Sequence, residues 1–253
     1  MRALIYRWYE RRLHHQLEGG ELPNHVGVLV DGNRRWAREQ GGLSASLGHH
    51  AGATKIVELL EWCREFKIPH TTIYLLSTDN ISKRPDSELR ELLEIILQLS
   101  ERLASMQRWR LQVVGDMDLL PPEAVVRLRT IEEKTRDLEA PHVNLAIAYG
   151  GRSEIAAAMR SILRSHANSG LDVDELAGLL TPELIAEHLY TGGQPDPDLL
   201  IRTSGEQRLS GFLLWQSANS EFYFAEALWP DFRKVDFLRA LRAFQNRHRR
   251  FGS

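Results

Sequence analysis

Asp31, Asn33, Arg34, Arg35 and Arg38 fall within eight residues of one another, directly after the apolar run Val26–Val30. One carboxylate among several guanidinium groups is the make-up of a site for a phosphate held together with a divalent metal, since arginine forks match phosphate oxygens. Gly32 permits a sharp turn, and Asn33 is a good helix N-cap. The backbone N–H groups of a helix starting there would add to the attraction for an anion. The plainer alternative is a capped turn with solvated arginines.

Two more polar stretches follow apolar runs. Ser77–Arg84 follows Thr71–Leu76, and Arg202–Ser210 follows Leu199–Ile201. If the apolar runs are parallel strands, the polar stretches are loops at one sheet edge, and residues far apart in sequence converge there. Their contents, repeated Arg with Ser and one Asn, suit two anionic groups. Other chemistries are not written here. There is no phosphate-binding G-x-x-x-x-G-K-[ST], no G-x-G-x-x-G after a strand, and no G-x-S-x-G elbow. One cysteine and scattered histidines give no zinc spacing, and no D-D-x-x-D occurs.

The elements that must position these groups alternate. Strand-like runs at 26–30, 71–76, 110–115, 143–148, 199–201, 212–215 and 221–224 are separated by helical stripes. The stripes include Ala53, Ile56, Val57 and Leu60; a long one from Leu89 to Leu103 capped by Asp86; Pro121–Asp137; Ile155–Leu163; Thr181–Leu189; and a last one from about Asp236. The alternation predicts an α/β domain with a mainly parallel sheet and helices on both faces. Ile95 and Leu97 widen the long stripe, which is either simply buried or lines an apolar cavity. Gly41–Gly48 reads as a loop leading to His49. Residues 3–17 form a basic amphipathic helix that either packs on the body or touches a membrane surface.

With 253 residues and a formal net charge of −2, the chain has a sizeable core and no global attraction for nucleic acid. The single cysteine, Cys63, excludes an internal disulfide and fits a buried position in a reducing compartment. No run is long enough to span a membrane and no signal peptide is recognisable, so a cytoplasmic protein is expected.

Asp31-Gly-Asn-Arg-Arg-Trp-Ala37, Gly48-His49, Ser77-Thr-Asp-Asn80, Tyr149-Gly-Gly-Arg152, the segment Asp198–Gln216, and Glu221-Phe-Tyr-Phe224 resemble the motifs of the cis-prenyltransferases. These are the Z-isoprenyl diphosphate synthases, including undecaprenyl diphosphate synthase. The resemblance covers about residues 22–252. It implies a single catalytic domain over 21–253, preceded by the helix of residues 1–20, with a six-stranded sheet. It further implies a homodimer that condenses an allylic diphosphate with isopentenyl diphosphate, using Mg2+. Asp31 then corresponds to the catalytic, metal-binding aspartate, and Glu221 to a second carboxylate associated with the metal. Gly32, Asn33, Arg34, Arg35, Trp36, His49, Ser77 and Arg84 would surround the allylic diphosphate. Asn80, with Ser77, would assist ionisation and proton loss. Arg202, Glu206, Arg208 and Ser210 would form the isopentenyl diphosphate pocket, with Arg250 and Gly252 as the C-terminal R-x-G motif.

Three positions depart from the family pattern. Arg34 stands where a glycine is usual, Ser44–Ser46 replace an arginine before Gly48, and Ile81 replaces a tryptophan. Leu75, two residues before Ser77, stands where long-chain enzymes have a small residue. Together with Gly-Glu-Gln-Arg-Leu-Ser-Gly, this is similar to short-chain Z-farnesyl diphosphate synthases, and implies a fifteen-carbon product from geranyl diphosphate. The alternatives are a medium- or long-chain polyprenyl synthase, or a non-catalytic partner subunit. Non-catalytic members lose the aspartate and arginines that are retained here.

Overall fold

The computed structural model describes residues 2–166, 170 and 172–251. In chain order its elements are α1 (Arg2–Leu17), β1 (His25–Leu29), α2 (Asn33–Glu39), α3 (Ala45–Glu65), β2 (His70–Ser77), α4 (Thr78–Lys83), α5 (Asp86–Met106) and β3 (Arg110–Val114). There follow α6 (Pro122–Thr135), β4 (His142–Tyr149), α7 (Gly151–Ser165), α8 (Val173–Leu179), α9 (Pro182–Glu187), β5 (Leu199–Arg202), β6 (Glu221–Phe224) and α10 (Lys234–Phe251). The six strands form one sheet of order β3-β4-β2-β1-β5-β6, parallel throughout. From β1 the chain adds β2, then the edge strand β3, then inserts β4 between them, and finally builds β5 and β6 on the other side of β1. The order therefore reverses at the β1–β5 crevice, the place where open α/β sheets bind ligands beyond the strand C-termini.

Alternation along the strands divides the core. Val26, Val28, Ile73, Val143, Leu145, Leu199 and Ile201 meet apolar residues of α1, α3, α5, α6 and α10. Leu29, Ala146 and Leu200 lie on the other face, against Tyr149, Phe212 and Leu213. β1 is buried at all five positions, its apolar run Val26–Leu29 together with the preceding His25. α1 packs against α10: Leu13 and Leu17 are buried, and the Arg233 and Arg239 guanidiniums lie 4.6 and 5.2 Å from the Tyr6 and Tyr9 rings. Among the described residues no helix is long and apolar enough to cross a membrane.

Several local expectations are corrected. Residues 212–215 are a turn: φ is left-handed at Ser210 (50°) and Leu213 (44°), which breaks the extended repeat there. Phe212 is buried all the same, stacked on Tyr74 at 4.8 Å. The polar stretch after β2 is a helix, α4, whose N-cap Ser77 accepts from the Asn80 N–H. Asn33 is the first residue of α2 and not its cap; Gly32 holds that position, with φ 111°. α5 is preceded by Pro85 as N-cap, so Asp86 is its first residue. α3 begins at Ala45, inside the expected loop, so His49 is a helical residue.

At the opposite, N-terminal rim of the sheet, His25, His70 and His142 stand side by side in register on β1, β2 and β4. Their rings are 5.9 and 5.7 Å apart. Burial holds His25 and His142 down to about 4, and lowers His70 as well. The unfolded chain takes up these protons near pH 6.5. The contribution to stability is therefore complete above that pH and is lost as pH falls toward 4. At pH 5 the fully buried His25 alone accounts for about 2 kcal/mol. Urea midpoints are expected to drop between pH 7.5 and pH 5, with a smaller drop in a His25→Gln variant. Equal drops in the two proteins would count against the histidine row as the cause.

Candidate active site

Asp31 leaves β1 at the β1–β5 crevice and is fixed by its backbone. Its N–H donates to Thr203 Oγ1 at 3.0 Å, and its carbonyl accepts from the same hydroxyl at 2.7 Å and from the Trp229 N–H at 3.0 Å. The carboxylate, 44% exposed, accepts from Arg202 Nη2 at 2.8 Å, whereas the Arg202 side chain is 6% exposed. A buried guanidinium is tolerated only with several acceptors. Here Ser210 Oγ at 2.9 Å and the Arg208 carbonyl supply the others. Arg35 donates to the Ser204 carbonyl at 3.3 Å and approaches Glu206 at 3.5 Å, while Glu206 also pairs with Arg208.

The loop carrying Arg208 and Ser210 is strained, with positive φ at Ser204, Ser210 and Leu213. It is held from beneath. The Gly151 N–H donates to the Gly211 carbonyl at 2.8 Å. Buried Glu154 accepts from the Tyr149 hydroxyl, from Gln216 Nε2 and from the Tyr190 N–H.

On the other side of the mouth, α2 and α3 approach so closely that a Cβ at Gly48 would collide with the Asn33 carbonyl. This contact brings His49 beside Arg84, 3.4 Å from Nη1. Burial, reinforced by Arg84, holds His49 down to about 4, so it is a neutral imidazole at physiological pH. Arg84 pairs with Glu88 at 2.6 Å, and Arg34 reaches the same carboxylate at 3.6 Å. Asn33 Oδ1, Arg84 Nε and Arg202 Nε are buried without partners.

Both halves open into one cleft of about 710 Å³. Its polar lining is Asp31, Asn33, Arg34, Arg35, His49, Ser77, Asn80, Arg84, Arg202 and Ser210, which form the mouth. Its bore is apolar: Ile56 of α3, Tyr74, Leu75 and Leu76 of β2, and Leu92, Ile95, Ile96 and Leu99 of α5. A cationic mouth on an apolar bore fits an amphiphile with a multiply charged head and a hydrocarbon tail.

The profile of the putative undecaprenyl diphosphate synthase family matches residues 29–252. The chain belongs to this family, the cis-prenyltransferases. It is 54% identical over 251 residues to the (2Z,6E)-farnesyl diphosphate synthase of Mycolicibacterium smegmatis, covering 98% of this chain and 95% of the relative. Identity to the enzyme of that name from Thermobifida fusca is 54% over 252 residues, covering 100% and 98%. Among solved structures, lavandulyl diphosphate synthase from Lavandula x intermedia, in complex with dimethylallyl diphosphate, superposes with a TM-score of 0.80. That match has 33% identity and covers 88% of this chain and 95% of the other.

The structure brings most of the expected cis-prenyltransferase residues to one place, but not all of them. Gly32 and Trp36 shape the turn and the α2 packing without lining the cleft, and Glu206 and Arg208 act at its edge through Arg35 and Arg202. Glu221 stands apart from these residues in the single protomer. It begins β6 opposite Leu199, three residues upstream of Arg202 in register, so it lies roughly 10 Å down the strand from the C-terminal rim. Its carboxylate is taken by Arg247 at 2.5 Å. The Arg250 side chain and Gly252 lie outside the described residues. Sequence reasoning missed Glu88, although its i+4 spacing from Arg84 on a helix start is a readable pairing signal. It also missed Thr203, which carries no such signal. Of the two residues that widen the α5 stripe, Ile95 lines the bore and Leu97 packs in the core.

Among the described residues no cluster of three His, Cys, Asp or Glu side chains could hold a metal by itself. A half-exposed carboxylate at an arginine-lined mouth fits Mg2+ all the same, because this ion binds through one or two carboxylates plus substrate phosphates and water.

Proposed function

We propose that the chain condenses geranyl diphosphate with one isopentenyl diphosphate to give a fifteen-carbon (2Z,6E) diphosphate, with Mg2+ held at Asp31 and between two copies of this chain. The observation that carries this is the junction of the arginine-lined mouth with an apolar bore that Leu75 lines. Relatives named for the (2Z,6E) product over nearly their whole length support the same choice.

In this reading Arg34, Arg84, Asn33 and His49 hold the allylic diphosphate, and Arg202, Arg208 and Ser210 hold the isopentenyl head. Mg2+, when bound, supplies positive charge to the departing diphosphate. The arginines share that task and need no reorganisation, since their partners already fix them. Neutral His49 donates or accepts a hydrogen bond and does not serve as an acid. Asn80 and Ser77 stand where the new bond forms and a proton leaves. The two substrates approach head by head across the β1–β5 crevice, an alignment worth up to about 7–11 kcal/mol in favourable cases. Glu221 is assigned no share of the ion within one protomer. A homodimer, implied by the R-x-G motif, would supply its C-terminus to the partner's site. β6 is an edge strand of the sheet among the described residues, with Arg247 on its Phe222 carbonyl, and offers a surface for such a contact.

The test is incubation with Mg2+, isopentenyl diphosphate and dimethylallyl, geranyl or farnesyl diphosphate, followed by product sizing. A fifteen-carbon product, formed fastest from geranyl diphosphate, is expected. Products beyond twenty carbons as the main species would overturn the short-chain assignment, and no product from any of the three would overturn the activity.

A further inference from the structure

Four arginines at the cleft mouth meet carboxylates of their own chain. Arg202 meets Asp31 at 2.8 Å, Arg35 meets Glu206 at 3.5 Å, and Glu88 meets both Arg84 at 2.6 Å and Arg34 at 3.6 Å. Glu88 thus pairs with two cleft-lining arginines at once, Arg84 from the link between α4 and α5 and Arg34 from across the mouth on α2. The site is partly withdrawn from water, with the Glu88 and Arg84 side chains 24% and 11% exposed.

Arg84 is short of acceptors. Its Nε is buried without a partner, and Glu88 is the only carboxylate it pairs with among the described residues. Its remaining neighbour, His49 Nε2 at 3.4 Å, is neutral. A diphosphate offers the same kind of acceptor oxygens with more charge. It cannot reach both guanidiniums without coming within a few ångströms of the Glu88 carboxylate, and like charges at that range repel most where water is scarce. Arg34 therefore faces two ways. It adds charge toward the substrate, as its replacement of the family's glycine implies, and it also reaches the chain's own anion.

The geometry points to Glu88 as a built-in competitor: its carboxylate occupies the Arg34–Arg84 pair, is displaced by the allylic diphosphate, and thereby sets the affinity for that substrate. Glu88's role rests on the allylic diphosphate binding at these arginines as proposed above. The opposite role, a buttress that positions Arg84 for the substrate, predicts the opposite sign.

The experiment is calorimetric titration of the full-length protein, in the presence of Mg2+, with geranyl diphosphate and separately with inorganic pyrophosphate. Glu88→Gln is expected to bind both ligands about three- to ten-fold more tightly than the unaltered protein. The KM for geranyl diphosphate should fall by more than that for isopentenyl diphosphate. Arg34→Gly should cost more affinity in the Glu88→Gln background than alone, because Arg34 is then wholly available to the ligand. Unchanged or weaker binding by Glu88→Gln overturns the competitor. Glu88→Ser carries the same expectations if the glutamine variant does not melt cooperatively. If the unaltered protein binds neither ligand, the assignment of the site fails first and takes the role of Glu88 with it. Binding in the unaltered protein with no gain in the variants rejects Glu88 alone.

Discussion

Asp31→Ala is expected to lower the turnover of geranyl diphosphate with isopentenyl diphosphate by about 10²–10³-fold or more, the scale seen when one preorganised charge-stabilising group is removed. The reason is local. Asp31 is the carboxylate paired with Arg202 at the β1–β5 crevice, and its backbone is fixed there through Thr203 and Trp229. The fold should survive. The side chain is half exposed, and Arg202 keeps Ser210 and the Arg208 carbonyl as partners. Loss of the ion pair then costs about 1–3 kcal/mol, or about 2–12 °C in Tm at this chain length. Asp31→Asn keeps a hydrogen-bond acceptor for Arg202 and should melt closer to the unaltered protein while remaining nearly as inactive. Turnover within about ten-fold of normal in either variant, by product chromatography at saturating Mg2+, would show that the carboxylate is not central to the chemistry.

Leu75→Ala is expected to change what the enzyme makes. β2 carries an irregularity at this residue: Tyr74 pairs with Ala146 and Leu76 with Ile147, leaving Leu75 as an extra residue without a partner on β4. Such a bulge breaks the in–out alternation and re-aims a side chain. Tyr74, Leu75 and Leu76 accordingly all line the cleft, where strict alternation would turn successive residues to opposite faces. Truncating Leu75 removes three carbons from the wall of the bore, and a packed wall does not close such a gap freely. Products of twenty or more carbons should rise from trace to a major share, read by chromatography after exhaustive reaction. Because Leu75 is only partly buried, the stability cost should lie at or below the low end of the usual ~2–5 kcal/mol for such a truncation. An unchanged fifteen-carbon product would mean that the bore is limited elsewhere, with Ile96 and Leu99 of α5 the next positions to truncate.

How far these sites could be read beforehand depended on the type of signal. β1 and Asp31 were legible because a run buried on both faces, followed by glycine and a charged turn, has few other interpretations. α4 was not. A six-residue polar helix with no buried position leaves no apolar period, and its Ser77 cap looks like any loop serine. The segment 212–215 misled for the opposite reason: four apolar residues in a row match a buried strand, and nothing local reveals that Ser210 and Leu213 turn left-handed. Glu221 starts β6 three residues before the rim, a placement that a linear motif does not state.

The amino-acid sequence by itself determined the class of fold, the family, and the charge types at the mouth, because periodicity, turn residues and motif spacing are properties of neighbours along the chain. The tertiary structure decided which of those charges meet. Arg202 reaches Asp31 across 171 residues, Glu88 bridges Arg34 and Arg84, and an unpaired residue in β2 turns Leu75 toward the bore. Those outcomes depend on strand order, register and the close approach of α2 to α3, which are set by packing the whole core at once and by no local stretch alone.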